Sequence, residues 1–258
     1  MVGGKTTLLI DADTLIYAAT SANQHPFQWN EWLWTLHANW DEVLGHFEDT
    51  VLEIKEGLQC ENIVMALSDE KRWRNAVMPS YKSNRASTMK PICYQALREY
   101  VHEAYTTFQR PGLEGDDVLG ILSTHPDFIE GKKIIVSIDK DMKTLPGLLC
   151  NYAKDRRPSP EKWNVNQVTE READYAHMFQ ALTGDTTDGY KGCPGVGPVK
   201  AEGILKGIAP GMWWKAVVEC YKKAGLGADV ALQNAQVARI CRAEDYDFEK
   251  KEVIPWTP

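Results

Sequence analysis

Three short apolar runs, each ending on a carboxylate, constrain the fold of this chain more than any other feature. Leu8-Leu9-Ile10 leads into Asp11, residues 62–67 lead through Ser68 into Asp69, and residues 132–138 lead into Asp139 and Asp141. Runs of this length with little polar alternation suit strands buried on both faces, as in a parallel sheet covered by helices on either side. Segments with apolar residues at three-and-four spacing separate them, so the expected architecture is a doubly wound α/β fold. In such folds sites form outside the carboxyl ends of the strands. Asp11, Asp69, Asp139 and Asp141 would then share one edge.

The intervening pattern predicts a helix over 14–19 with Asp13 as its N-cap. Apolar residues from Leu33 to Leu58 predict one long amphipathic helix, or two joined ones, over 29–58, with Trp32 and Trp34 in the core. Further helices are expected over 91–105, 166–182, 212–224 and 228–242, with short strands near Phe108 and over 148–152 and an extended C-terminal tail. The Gly-Gly-Lys-Thr before the first run lacks the upstream glycine of a phosphate-binding loop and precedes its strand, which excludes that reading.

More acids crowd the same edge. Glu114, Asp116 and Asp117 stand together at a helix entrance, where the helix dipole favours one or two negative charges but three call for a cation. Asp185 and Asp188 follow the 166–182 helix. So many converging carboxylates suit oxygen ligands for two divalent cations, Mg²⁺ or Mn²⁺, about 4 Å apart in a two-metal phosphoryl-transfer site. Downstream, Gly195-Val196-Gly197-Pro198 and Lys200 have the composition of a tight turn opening a helix, where backbone N–H groups can approach a phosphate. The most basic stretch carries Lys71, Arg72, Arg74, Lys82, Arg85 and Lys90 with Trp73 and Tyr81 between them. It suits either a solvated loop or a mobile segment closing over phosphates with aromatics to stack a base.

A net charge of −7 by itself opposes a nucleic-acid partner, but with the acids above gathered in one metal pocket the remainder is weakly positive. Six scattered cysteines form no C-x-x-C pair, which argues against a disulfide framework or a zinc ribbon and for a reducing cytoplasm. Neither a signal peptide nor a membrane-spanning run is expected.

In order along the chain, the motifs I-D11-A-D, S-D69 with W73-R74, Y81-K82-S-N-R85, E114-G-D116-D117, S-I-D139-K-D141 and T-G-D185-T-T-D188 with G-C-P-G-V-G-P-V-K200 resemble those of the flap endonuclease or 5′ nuclease superfamily. The likeness is greatest to the small stand-alone 5′→3′ exonucleases of bacteriophages. It implies a PIN-like, Rossmann-like, mostly parallel sheet in a nuclease core over 1–182, with a helical arch or gateway at about 71–90. A helix-three-turn-helix region over 183–258 would grip duplex DNA, often around K⁺. By the same resemblance Asp11, Asp69, Glu114 and Asp116 would surround the catalytic metal, and Asp117, Asp139, Asp141, Asp185 and Asp188 the second. Lys82 and Arg85 would stabilise the scissile phosphate. Arg72, Arg74, Tyr81, Gly195, Val196, Gly197 and Lys200 would contact DNA. The short, proline-interrupted 72–89 segment favours exonuclease action over flap specialisation. The implied partner is DNA with a 5′ end, nick or flap, or an RNA–DNA hybrid, met by a monomer in the cytoplasm, that of the host for a phage protein.

Two other classes fit part of the pattern. Asp11-Ala12-Asp13-Thr14 matches the nucleophile motif of haloacid-dehalogenase-type phosphatases, in which Asp11 would attack phosphorus. That reading leaves Glu114 to Asp117 and the glycine turn unexplained. A non-catalytic, structure-specific DNA binder would use the glycine turn and the basic segment but has no need of every carboxylate.

Overall fold

The computed structural model describes residues 5–85, 88–158 and 161–258. Residues 1–4 of the expected core and 86–87 of the expected arch lie outside that range. The chain proceeds through β1 (Thr6–Asp11), α1 (Ala12–Ala22), β2 (Gln24–Gln28), β3 (Trp34–Ala38), α2 (Trp40–Leu58) and β4 (Ile63–Ala66). It continues through α3 (Arg74–Val77), α4 (Tyr94–Ala104), β5 (Thr107–Phe108), α5 (Gly115–Thr124), β6 (Lys132–Val136), β7 (Gly147–Cys150) and β8 (Asn166–Val168). The last elements are α6 (Glu170–Thr183), α7 (Pro198–Leu205), α8 (Trp213–Lys223), α9 (Ala228–Ala238), β9 (Tyr246–Asp247) and β10 (Glu252–Val253).

Six strands form the central sheet in the order β5-β4-β1-β6-β7-β8, all parallel except β8, which pairs antiparallel with β7. β1 lies between β4 and β6, so the strand order reverses at the carboxyl end of β1, where Asp11 stands. Alternation along β1 sends Leu8 and Ile10 into a core with α1, α2 and α4, built around Phe47, Val51 and Leu97. Leu9 points to the opposite face, where Val118 and Leu122 of α5 pack with Ile135 and Ile240. A third core, around Leu182, Val196, Leu205, Trp213, Val217 and Tyr221, joins α6 to α7, α8 and α9.

Several expectations are corrected. Residues 29–38 are not helical: β2 and β3 form an antiparallel hairpin, with Phe27 opposite Thr35 and Gln28 opposite Trp34. Trp32 is 89% exposed and Trp34 56%, so neither is core. The three-and-four spacing there comes from Trp29 and Leu33 in the turn and Leu36 on β3, which fall at intervals that a helix also fits. Residues 166–168 form the edge strand β8, and α6 begins only after Thr169, whose side chain and that of Glu172 cap each other's backbone. Helix α1 is capped by Asp11, whose side chain accepts from Thr14 N, rather than by Asp13. β9 and β10 pair antiparallel just ahead of the C-terminal tail, and residues 254–258 form neither helix nor paired strand.

Candidate metal centre

The carboxyl edge of the sheet opens into a cavity of about 230 Å³ lined by acids from five segments. Asp11 comes from the end of β1, Glu114 and Asp116 from the start of α5, and Asp139 and Asp141 from the turn after β6. Asp185 and Asp188 come from the loop after α6, and Asp13 adds an eighth carboxylate. Local chemistry aims each group. Asp11 is almost fully buried and accepts from Ser137 Oγ at 2.8 Å and from Thr14 N at 3.2 Å. Asp139 Oδ1 accepts from Asp141 N at 2.8 Å, which caps the 3₁₀ turn Lys140–Thr144 and holds both acids on one side.

The 184–192 loop is closed by reciprocal backbone bonds between Asp185 and Tyr190, with Asp185 N donating to Tyr190 O at 2.9 Å. Gly184 and Gly192, both at positive φ, lie backbone against backbone at its neck, where a Cβ on either would overlap the other's main chain. Lys82 sits at φ +53, and its N–H donates to Asp188 O at 2.8 Å, tying the basic segment to this loop. Its Nζ reaches Glu114 Oε1 at 2.7 Å and Asp188 Oδ2 at 3.5 Å, while Arg85 reaches Asp188 Oδ1 at 2.8 Å. The exposed Lys140 meets Asp185 at 2.9 Å.

Electrostatics sets five of these acids apart in two groups. Burial, reinforced by Asp13, pushes Asp11 up to about 7. Burial and the facing Asp11 and Asp139 raise Asp116 well above the usual carboxylate range, and burial beside Asp139 raises Asp141 to about 6. Glu114 and Asp185 lie low instead. Burial opposes their ionisation, but Arg74 and Lys82 outweigh it at Glu114, and Lys140 with the Thr187 N–H outweighs it at Asp185. Acids that raise one another in this way form a cluster whose full ionisation the chain's own cations do not compensate. Hard oxygen donors in that state fit divalent cations. Among the described residues no three acids already surround one point as a finished ligand shell, so the fit rests on donor chemistry and charge.

Four sequence-predicted residues lie elsewhere. Asp117 is fully buried behind the cavity and accepts from both terminal nitrogens of Arg74 at 2.7 Å, from Trp73 Nε1 at 3.0 Å and from Cys241 N at 3.0 Å. Arg74, only 2% exposed, also binds Glu114 Oε2 and the backbone carbonyls of Val237 and Arg239, so it faces no solvent. Tyr81 is buried beside Tyr190 and donates to Asp188 Oδ2 at 3.0 Å, which leaves no face for a base. Asp69 stands off the cavity, its carboxyl held low chiefly by the Gly112 N–H at 2.8 Å. Arg72, by contrast, remains partly exposed beside Glu114. Gly195 and Gly197 are exposed at the start of α7, where Lys200 Nζ donates to Gly195 O at 3.2 Å, and Val196 is buried beneath them.

Sequence reasoning missed Asp13 as a cavity residue, although the D-x-D spacing places it on the same edge as Asp11. It also missed Ser68, Gly115 and Lys140, which line the cavity without a motif of their own.

A family model described as the N-terminal resolvase-like domain of 5′-3′ exonucleases matches residues 6–171. The chain belongs to the 5′-3′ exonuclease family. The exodeoxyribonuclease of Enterobacteria phage T3 is 32% identical over 98% of this chain and 93% of the relative. The exonuclease of Escherichia phage T7 is 30% identical over 98% and 94%. Among solved structures, the phage T5 5′-exonuclease with bound zinc ions superposes with a TM-score of 0.60 at 15% identity, over 91% of this chain and 89% of that one. That likeness establishes a shared PIN-like fold, with helices on a mostly parallel sheet. Family membership makes the protein a nuclease and sets aside both the phosphatase and the non-catalytic alternatives.

Proposed function

We propose that the protein is a metal-dependent 5′→3′ exonuclease hydrolysing phosphodiester bonds of duplex DNA from a 5′ end or nick. Flapped DNA and the RNA strand of RNA–DNA hybrids are further substrates. The observation that carries this reading is the acid cavity at the switch point of the sheet, bordered by Lys82 and Arg85. Asp11, Glu114 and Asp116 would hold one Mg²⁺ or Mn²⁺, and Asp139, Asp141, Asp185 and Asp188 the second. When bound, such ions supply an activated water and charge for the leaving oxygen.

The remaining roles fall to the chain. Lys82 Nζ, 9% exposed in its side chain and held between Glu114 and Asp188, presents a fixed positive charge at the cavity wall where a scissile phosphate would gain it. Arg85 and Arg72, more exposed, add to the same wall. Gly195 and Gly197 leave the first turn of α7 uncovered, and its free N–H groups would meet phosphates of the duplex, with Lys200 alongside and K⁺ as a bridging ion.

In this reading residues 1–182 are the catalytic core and 183–258 a helix-three-turn-helix region packed on it. The protein works as a monomer in the cytoplasm, that of a host cell for a phage enzyme. Duplex approach by 183–258 sets where the cut falls relative to the 5′ end.

A panel of blunt duplex, nicked duplex, 5′-flap and RNA–DNA hybrid, each with Mg²⁺ or with chelator, tests the proposal. Metal-dependent release from 5′ ends of blunt and nicked duplex supports it; release from 3′ ends, or equal release under chelator, overturns it.

A further inference from the structure

Asp13 lines the cavity, and both of its oxygens are engaged by groups that tie it to α4 and to the end of β4. Oδ2 accepts from Ser68 N at 2.7 Å, and Oδ1 accepts from Arg98 at 2.9 Å and from Tyr94 Oη at 3.4 Å. Arg98, on α4, also donates to Ser68 O, so one guanidinium grips both Asp13 and the backbone at the end of β4. Ser68 Oγ in turn accepts from Gly115 N at 2.8 Å, at the first residue of α5. Gly115 lies between Glu114 and Asp116, and a Cβ there would come within 3.2 Å of Asp13 Oδ2. An unbroken chain of polar contacts therefore runs from α4 through the start of α1 and the end of β4 to the peptide that carries two of the acids.

Resting on the metal-site reading above, we propose that Asp13 and Arg98 are a positioning pair. Through Ser68 and Gly115 they set the separation of Glu114 and Asp116 from Asp11 across the cavity, without Asp13 itself binding an ion. Positioning is favoured over ligation because the contacts of Asp13 run through the Ser68 backbone and the Ser68 hydroxyl to the Gly115 N–H, the backbone of the segment whose placement fixes the site, and because Arg98 grips Asp13 and Ser68 O together. Groups that orient metal ligands in this way typically change metal affinity by about 10–100-fold when removed.

The test is Mn²⁺ binding to the intact, DNA-free protein by titration calorimetry, read beside thermal unfolding. Asp13→Asn and Arg98→Met should each weaken Mn²⁺ binding by roughly 10–100-fold. The double variant should be no worse than either alone, because both break one chain of contacts. Arg98→Lys, which keeps the charge but not the two-pronged grip, should recover part of the loss. Arg156→Met, which breaks an exposed ion pair with Glu53 elsewhere, should leave Mn²⁺ binding unchanged. Arg98→Met with unaltered Mn²⁺ affinity, or additive losses in the double variant, overturns the pairing. Wild-type protein that binds no Mn²⁺ would instead bring down the metal-site reading itself. Should Asp13→Asn and Arg98→Met fail to fold, Arg98→Lys alone decides between a several-fold weakening and none.

Discussion

Replacing Arg74 with methionine should damage stability far more than it damages DNA binding. The side chain makes five hydrogen bonds: two to Asp117, one to Glu114, and one each to the carbonyls of Val237 and Arg239. Methionine fills a similar volume but leaves Asp117, fully buried, without its cation and Glu114, 5% exposed, with Lys82 and Arg72 alone. Breaking one side of a buried ion pair costs about 3–5 kcal/mol. For a chain of this size that corresponds to a fall in Tm of roughly 6–20 °C.

The sign of the pH dependence identifies the cause. In the wild type Asp117 is held below its ordinary range, since Arg74 and its hydrogen bonds outweigh burial, so its contribution is present above about 3.9, the ordinary carboxylate value, and lost on acidification below it. Without Arg74, burial dominates and the carboxyl rises. The variant's deficit should therefore be larger at pH 8 than at pH 5, where protonation relieves the stranded charge. Thermal unfolding at both pH values, with DNA affinity measured in Ca²⁺ at a temperature where the variant is folded, checks this. A variant with wild-type Tm and weakened DNA binding would refute the structural reading and return Arg74 to the DNA surface.

Lys82→Ala should lower kcat by on the order of 10²–10³ while DNA affinity in Ca²⁺ changes little, measured by single-turnover cleavage and filter binding; an affinity loss alone would reassign it to phosphate binding. His177 is buried, donates through Nε2 to Ala235 O at 2.8 Å, and is pushed down to about 3 by burial and then by Arg239. Below about 6.5 the unfolded chain takes up a proton that the folded chain refuses, so acidification should cost up to ~1.4 kcal/mol per pH unit, a slope that denaturant titrations should find missing in His177→Gln. Gly120→Ala should destabilise by about 1–3 kcal/mol in the same assay, because a Cβ there would overlap the backbone oxygen of Cys241, which cannot swing aside.

The parts of this molecule legible in the sequence are those written by local pattern. An apolar run with a terminal acid specifies a buried strand and the edge its carboxylate occupies, and β1, β4 and β6 lie side by side with their acids on one edge. Long-range partners were not legible. Arg74 looks like any other cation in a basic stretch, and its burial depends on partners distant in the chain, among them the carbonyls of Val237 and Arg239, more than 160 residues away. Asp117 shares a motif with Asp116, yet one residue of helix rotation turns Asp116 to the cavity and Asp117 to the core. Trp29, Leu33, Leu36 and Trp40 mimic a helical stripe although the first three belong to a hairpin and its turn and only the last to a helix. Nothing in the spacing of Asp13 and Arg98 announces that they meet.

The central claim is that the cavity acids hold divalent cations for cleavage from a 5′ end. It is tested most directly by digesting duplex DNA labelled at its 5′ terminus, with wild type and Asp139→Asn, across a Mg²⁺ titration. The account predicts that the wild type releases labelled 5′ nucleotide only as Mg²⁺ is added and that Asp139→Asn releases none at any concentration that saturates the wild type. Wild-type release without Mg²⁺, or undiminished release by Asp139→Asn, would contradict it.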